Sequence, residues 1–173
     1  MAKTLQTKRL VLRPLAAVDS TWLTDYWRLP ELYRMAASIP PDVDEDFARQ
    51  RIVDANEGEQ AITSIARMIE LDEQRVGLIS LQRSTSREAY NLGYSVHPDH
   101  WGQGIATEAG TALLNWTDGF VTPRFYISGY FADNPTSGKV LTKLGFLPCW
   151  REDVFSRGRN EYVDHIFMSR MAE

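Results

Sequence analysis

Apolar residues recur along the chain with two periods, one typical of strands and the other of helices. Seven segments have the alternating or continuous apolar pattern of strands, and four have apolar positions at helical spacing. The predicted strands are 9–14, 62–70, 75–82, 89–97, 124–130, 146–151 and 162–168. The predicted helices run from 19 or 20 to 29, and over 44–56, 104–116 and 134–144.

The order of these elements, β-α-α-β-β-β-α-β-α-β-β, differs from the regular strand–helix alternation of a doubly wound fold. It predicts an α/β (α+β) protein with a mixed central sheet of about seven strands and helices on both faces. The 173 residues contain no low-complexity linker and no internal repeat. This length suits one domain, so we expect residues 1–173 to fold together.

Composition narrows the classes of function. The formal net charge of −4 and pI near 5.4 argue against a protein that binds nucleic acid through a general coat of positive charge.

No apolar run is long enough to span a bilayer, and the first residues lack the apolar core of a signal peptide. We therefore expect a cytoplasmic protein without membrane contact. The single Cys149 excludes an intrachain disulfide, and a buried or half-buried structural thiol is expected there. The three histidines match no zinc spacing, so no metal is expected.

One glycine-containing loop carries the strongest chemical signal. Gly102 and Gly104 lie between the strand at 89–97 and the next helix. Backbone N–H groups of such a loop, together with a helix N-terminus, form a site for phosphate or pyrophosphate. Two nucleotide-binding motifs that contain such glycines are absent from this sequence. The Rossmann fingerprint needs glycine where Thr107 stands, and the Walker A motif needs Ser or Thr where Val140 follows Gly138-Lys139.

Three segments resemble one known family. The stretch from Trp101 to Ala109, WGQGIATEA, resembles the acetyl-CoA loop of the GNAT N-acetyltransferases. The stretch from Asn134 to Phe146, NPTSGKVLTKLGF, resembles a signature of the branch that includes RimJ and RimL. The opening TKRLVLRP, residues 7–14, resembles the first strand of that branch. The element order also matches over nearly the whole chain.

The resemblance implies a GNAT fold in which the strand at 89–97 splays from its neighbour, with a bulge expected there, to admit acetyl-CoA. Exposed backbone of Tyr94 and Val96 would pair with pantetheine, and the loop amides would hold the pyrophosphate. Asn134 is either a helix cap alone or a cofactor contact as well. The expected cofactor-binding residues are Tyr94, Ser95, Val96, Trp101, Gly102, Gln103, Gly104, Ile105, Ala106, Thr107, Asn134, Ser137 and Lys139.

The resemblance also implies direct attack of an amine on the thioester, without a covalent enzyme intermediate. Many relatives use a tyrosine on the last long helix to protonate the leaving thiolate, and this helix has none. Ser137 is the matching candidate for the acid. The base is harder to place: Glu88 is the candidate, His97 flanks the same strand, and Asn91 stands where many relatives have an acidic residue.

The acceptor is expected to be a primary amine, either a protein or peptide N-terminus or a small amine. Residues 41–60 carry a net charge of −5, which describes either an acidic rim that attracts cations or a solvated helix face. A homodimer is plausible in this family. An alternative interpretation is a non-catalytic acyl-CoA-binding or sensor module on the same fold, and amine-dependent turnover would separate the two.

Overall fold

A computed structural model describes residues 3–84, 89–119, 121 and 123–172. The strands are β1 (Leu5–Gln6), β2 (Leu10–Arg13), β3 (Ser64–Leu71), β4 (Gln74–Arg83), β5 (Ala89–Val96), β6 (Phe125–Phe131), β7 (Leu147–Ser156) and β8 (Glu161–Met171). The helices are α1 (Ser20–Trp27), α2 (Pro30–Tyr33), α3 (Glu45–Gln60), α4 (Ile105–Asp118) and α5 (Pro135–Lys143). The mixed α/β architecture predicted from the sequence is confirmed.

The strands form one eight-stranded sheet in the order β1-β2-β3-β4-β5-β6-β8-β7. Every neighbouring pair is antiparallel except β5 and β6, which are parallel. The prediction of seven strands omitted β1, whose two residues are too few to show a period. Two strands also extend beyond their predicted ends: β7 continues to Ser156 through pairing with β8, and β8 continues to Met171 through pairing with β6.

The apolar core has two parts, one on each face of the sheet. On one face, α4 and α5 pack on β4, β5 and β6 through Ile105, Leu113 and Leu141. On the other face, α1 and α3 pack on β3 through a cluster that includes Tyr26 and Met68. Tyr26 is therefore a core residue. Helices cover this second face over β3 and β4 and leave it open toward β8 and β7.

Local sequence determines α5 with little ambiguity. The Oδ1 of Asn134 accepts a hydrogen bond from the N–H of Ser137, Pro135 occupies the first helical position, and Gly145 follows the end with φ of +83°. Asparagine at the N-cap, proline at the start and glycine after the end are the favoured residues at these positions. The cap role expected of Asn134 is confirmed.

The parallel pairing of β5 and β6 ends after three residue pairs, of which Asn91 with Ile127 is the last. Beyond it the strands diverge, and the Oγ of Ser128 donates to the carbonyl of Leu92 where the gap opens. The register of β4 against β5 continues without a shift up to Val96. The splay is thus present, but the expected bulge is absent from this pairing.

Two further findings concern the surface. Cys149 is exposed, contrary to the expectation of a buried or half-buried thiol, and its Sγ lies 2.8 Å from the Oγ of Ser169. It stands on β7, the edge strand, where no helix covers it. Among the described residues, no helix is both long and apolar enough to cross a membrane.

Candidate functional site

A cleft of about 1580 Å³ passes through the gap between β5 and β6 and opens on both faces of the sheet. On one face it reaches the start of α4 and the first turns of α5. On the other it extends below α2 and the loop that follows α2. Its walls include Leu32, Met35, Asn91, Tyr94, Trp101, Gly104, Thr107, Tyr130, Phe131, Ser137, Lys139, His165 and Phe167.

The loop before α4 presents backbone donors to this cleft. Gly102 and Gly104 have φ of +75° and +76°, a left-handed conformation that disfavours residues with a side chain. The first intrahelical bond of α4 runs from the N–H of Glu108 to the carbonyl of Gly104, at 3.0 Å. The amides from Ile105 to Thr107 precede it and have no acceptor within the helix. With the positive end of the helix dipole, they suit an anionic group.

An ion-pair network that the sequence does not reveal supports this loop from behind. Glu108, in the first turn of α4, accepts from the hydroxyl of Thr7 at 2.6 Å and from the N–H and Nε of Arg9. Arg9 also donates to the carbonyl of Gln103 at 3.0 Å. Burial disfavours ionisation of Glu108, but these hydrogen bonds outweigh it and lower the pKa of the carboxyl. The chain start thereby fixes the conformation of the loop.

The backbone of β5 is only partly free to pair with a ligand. The N–H of Ser84 bonds to Ala89 and that of His97 to Val76, which places the odd-numbered residues of β5 toward β4. Tyr94 and Val96 therefore turn their backbone groups toward the gap. The indole Nε1 of Trp101 donates to the carbonyl of Val96 at 2.6 Å. An extended ligand thus finds both backbone groups of Tyr94 but only the N–H of Val96.

Tyr94 also contributes its side chain to the site. Its hydroxyl lies 2.8 Å from the Oγ of Ser137 and donates to the carbonyl of the same residue at 2.9 Å. Burial raises the pKa of Tyr94 to about 12, despite the opposing hydrogen bond to Ser137. A tyrosine hydroxyl therefore stands beside the start of α5 although the helix itself has no tyrosine. Sequence reasoning missed it because these residues are distant along the chain.

The open face of the sheet forms the other half of the cleft. Its wall is aromatic: His165 lies edge-on to Phe131 at 5.3 Å and tilted against Phe167 at 4.3 Å between ring centroids. Of the seven acidic residues in 41–60, only Asp54 lines the cleft. Others bond elsewhere, such as Glu59 with the buried Arg67. This segment is mainly a solvated face and not an acidic rim.

The tip of the β7–β8 hairpin closes one side of this open-face half of the cleft. Arg159 donates to both carboxylate oxygens of Asp133, at 2.8 and 3.0 Å, and its Nε donates to the carbonyl of Arg34 at 2.6 Å. Its guanidinium lies 4.9 Å above the ring of Phe131. The hairpin is thereby attached both to the loop after α2 and to the residue that precedes the N-cap of α5.

The predicted site residues converge with few exceptions. The expected cofactor-binding residues that line the cleft are Tyr94, Ser95, Val96, Trp101, Gly102, Gly104, Ile105, Ala106, Thr107, Asn134, Ser137 and Lys139. Gln103 does not line it: its side chain is exposed, and its Nε2 lies 3.5 Å from the carbonyl of Asp99. Ser95 lines it with a backbone committed to β4. Glu88 lies outside the described residues. In the described part of the chain, no group of His, Cys, Asp and Glu side chains could hold a metal ion.

Comparisons with known proteins agree with this geometry. The family model of the acetyltransferase (GNAT) domain matches residues 9–147. An uncharacterized N-acetyltransferase, p20, from Bacillus licheniformis is 30% identical over 150 residues, which cover 83% of this chain and 82% of that protein.

Solved structures share the fold at low sequence identity. A RimL ribosomal L7/L12 alpha-N-protein acetyltransferase in complex with coenzyme A has a TM-score of 0.86 at 16% identity, and the match covers 98% of each chain. RimJ of Mycobacterium smegmatis, in complex with CoA-disulfide, has a TM-score of 0.86 at 19% identity, over 99% of this chain and 88% of that one.

Proposed function

We propose, since the chain belongs to the GNAT acetyltransferase family, that it transfers the acetyl group of acetyl-CoA to a primary amine. One observation carries the proposal. The gap between β5 and β6 joins the backbone N–H groups at the start of α4 to the Tyr94–Ser137 pair in a single cleft. Family membership makes the chain an acyltransferase. The identity of the donor and acceptor rests on the cleft.

The donor side of the cleft suits coenzyme A in shape and charge. The amides from Gly102 to Thr107 bind the pyrophosphate, and α5 adds the cationic Lys139 and Lys143 to the same wall. Backbone groups of Tyr94 and the N–H of Val96 pair with pantetheine in the manner of an added strand. Asn134 uses its Oδ1 as the helix cap, so its Nδ2 is the group left to donate to the cofactor.

Ser137 and Tyr94 serve the leaving group. The amine nitrogen forms a bond to the acetyl carbon, the carbon–sulfur bond breaks, and the sulfur takes up a proton. The Ser137 hydroxyl donates that proton when the Tyr94 hydroxyl, which has a single proton, turns from the Ser137 carbonyl to donate to the Ser137 Oγ. The absence of a tyrosine from α5 motivated the alternative of a sensor module. Tyr94 supplies the missing hydroxyl from β5.

The acceptor enters from the open face of the sheet, opposite to α4 and α5. The RimL structure comes from an enzyme that acetylates a ribosomal protein N-terminus, which makes a protein or peptide N-terminus the first acceptor class to test. Small primary amines form the second class. Glu31 and Asp54 line this half of the cleft and favour a cationic acceptor, although Arg51 lies beside them.

The test is release of free thiol from acetyl-CoA in the presence of a panel of peptides and small amines. We expect amine-dependent release above the hydrolysis rate, together with an acetylated product identified by mass. Ser137→Ala should reduce this release, whereas Thr21→Ala on α1, outside the cleft, should not. Failure of every amine to stimulate release from protein that binds acetyl-CoA would overturn the proposed activity.

A further inference from the structure

His165 occupies a position in the acceptor half of the cleft that has no structural explanation. It lies on β8 opposite Phe131 of β6. Within the described residues, the Nδ1 of its ring is buried and has no hydrogen-bond partner. Buried polar atoms in native proteins are almost always paired, and those that are not often have a functional role. The imidazole is held between aromatic rings without being committed to any polar group.

The backbone beneath the ring is shaped to receive it. A Cβ atom on Gly129 would lie 2.3 Å from the Cε1 and 3.0 Å from the Nδ1 of His165. The absence of a side chain at Gly129 lets the imidazole lie over β6. Since β6 separates β8 from β5, the ring leans from β8 toward the gap.

The ring also lies at the same depth in the gap as the groups that serve the thioester. Pairing of β5 and β6 ends at Asn91 and Ile127, and Tyr94 is three residues beyond that point. Phe131, which pairs with His165, is four residues beyond it on the other strand. The depths of Tyr94 and of His165 in the gap therefore differ by about one residue, which is about 3.3 Å along a strand. Tyr94 faces α5 and His165 faces the opposite side, so the two residues flank the gap.

The ring is surrounded by few charges. Glu152 faces it from β7, and Asp164 precedes it on β8. The Arg159–Asp133 pair lies beyond the ring of Phe131, and Gly129, Phe131 and Phe167 are uncharged. Burial lowers the pKa of His165 from 6.5 and prevails over Glu152 and Asp164, which raise it. The ring is thus neutral, and able to accept a proton, at pH 7.

We propose that His165 is the general base that deprotonates the acceptor amine, an inference that rests on the proposed acetyl transfer. The ammonium gives one proton to the imidazole, and the free amine nitrogen attacks the acetyl carbon. The nitrogen of the resulting intermediate gives up a second proton as the carbon–sulfur bond breaks and the Ser137 hydroxyl protonates the sulfur. The Ser137 oxygen regains a proton from the intermediate, and the imidazolium releases its own to solvent.

The test is the pH dependence of kcat/KM for an amine whose pKa is about 10, measured at saturating acetyl-CoA. With a neutral base, the rate should level off above the pKa of His165, below 6.5, because the ammonium is the substrate form that the base activates. His165→Gln should lower kcat/KM at pH 7 by about 100-fold, in the range of general base catalysis. Its profile should instead rise tenfold per pH unit toward the pKa of the amine, because only free amine then reacts.

Controls distinguish the possible failures. Glu161→Gln makes the same kind of change on the same strand at an exposed position and should leave the profile unchanged. His165→Asn provides a second, smaller replacement, and both His165 variants should bind acetyl-CoA like the wild type. A wild-type pH plateau that persists in both His165 variants would overturn the role of His165 alone. Absence of turnover in the wild type with every amine would overturn the proposed function itself.

Discussion

The hydroxyl of Tyr94, on β5, lies 2.8 Å from the Oγ of Ser137, on α5, and thereby joins the two walls of the cofactor half of the cleft. If the pair protonates the leaving thiolate, Ser137→Ala should lower kcat by about 10- to 100-fold and Tyr94→Phe by about tenfold. The KM for acetyl-CoA should change much less, because the pantetheine contacts proposed for Tyr94 use its backbone. Steady-state kinetics measure both parameters.

Tyr162→Phe, at an exposed tyrosine, is the control and should have no effect. A Tyr94→Phe enzyme with unchanged kcat would contradict the proposal that Tyr94 assists Ser137 in protonating the thiolate.

The left-handed conformation of Gly104 gives a prediction about cofactor affinity. A residue with a Cβ in that conformation costs about 1 kcal/mol, so Gly104→Ala should weaken acetyl-CoA binding by about five- to tenfold. No atom lies close enough to obstruct the added methyl, since the nearest is 3.8 Å away. Calorimetric titration measures the affinity. The matched control is Gly119→Ala at the other end of α4, where φ is −73° and affinity should be retained.

The ion pair of Arg159 with Asp133 predicts a separate effect on the acceptor. Arg159→Lys keeps the charge but cannot form both hydrogen bonds to the carboxylate, so the hairpin tip should detach from the loop after α2. We expect a higher KM for the amine with little change in acetyl-CoA affinity. Arg157→Lys, at an exposed position on the same hairpin, is the control, because the hydrogen bond of Arg157 to the carbonyl of Ala37 is made by its backbone N–H. An unchanged KM for every amine would show that the hairpin does not shape the half of the cleft in which the acceptor is proposed to bind.

The buried pair of Glu59 and Arg67 is a stability element outside the cleft. The side chain of Arg67 is 0% exposed, donates to both oxygens of Glu59 and lies over the ring of Trp116. Glu59→Gln leaves this cation without its counter-charge and should reduce the free energy of unfolding by about 3–5 kcal/mol. Urea denaturation tests this, with the exposed Glu57→Gln on the same helix as the control. Similar urea midpoints for Glu59→Gln and Glu57→Gln would contradict the assignment of the Glu59–Arg67 pair as a stability element.

Asp19 predicts how stability depends on pH. Burial disfavours its charge, but hydrogen bonds from Arg13, the N–H of Ala16 and Arg75 outweigh burial and lower its pKa to about 2. Since the folded-state pKa is below the ordinary 3.8, ionised Asp19 stabilises the fold above pH about 4. This contribution is lost as pH falls through about 2.

Urea denaturation of Asp19→Asn checks this prediction. The variant should be less stable than the wild type by about 2 kcal/mol at pH 7, and the difference should shrink as pH falls toward 3. Asp25→Asn, at an exposed position on α1, should show no such difference. A stability difference that is independent of pH would assign the effect to packing instead of charge.

The sequence predicts those features that depend on neighbouring residues. The N-cap at Asn134 and the glycine-containing loop before α4 follow from residues a few positions apart, and the structure has both. The two-residue β1 was missed because it has too few residues to show alternation. The residue type of Cys149 predicts a buried or half-buried thiol, but the strand order leaves β7 at the edge of the sheet and Cys149 exposed.

Features that depend on distant contacts could not be predicted. Thr7 and Glu108 are 101 positions apart, and Tyr94 and Ser137 are 43 apart. Neither pair has a spacing that a local pattern would reveal. His165 was considered only as a metal ligand, because the register that places it beside Gly129 is a property of the folded sheet.

Calorimetric titration of the protein with acetyl-CoA, with ATP as the control nucleotide, tests the central proposal most directly. The cleft predicts binding of acetyl-CoA with a Kd on the order of 1 to 100 µM and much weaker binding of ATP. Gly104→Ala should weaken the first and leave the second unchanged. Equal affinity for both nucleotides, or no heat of binding for acetyl-CoA from folded protein, would contradict the assignment of this cleft as an acetyl-CoA site.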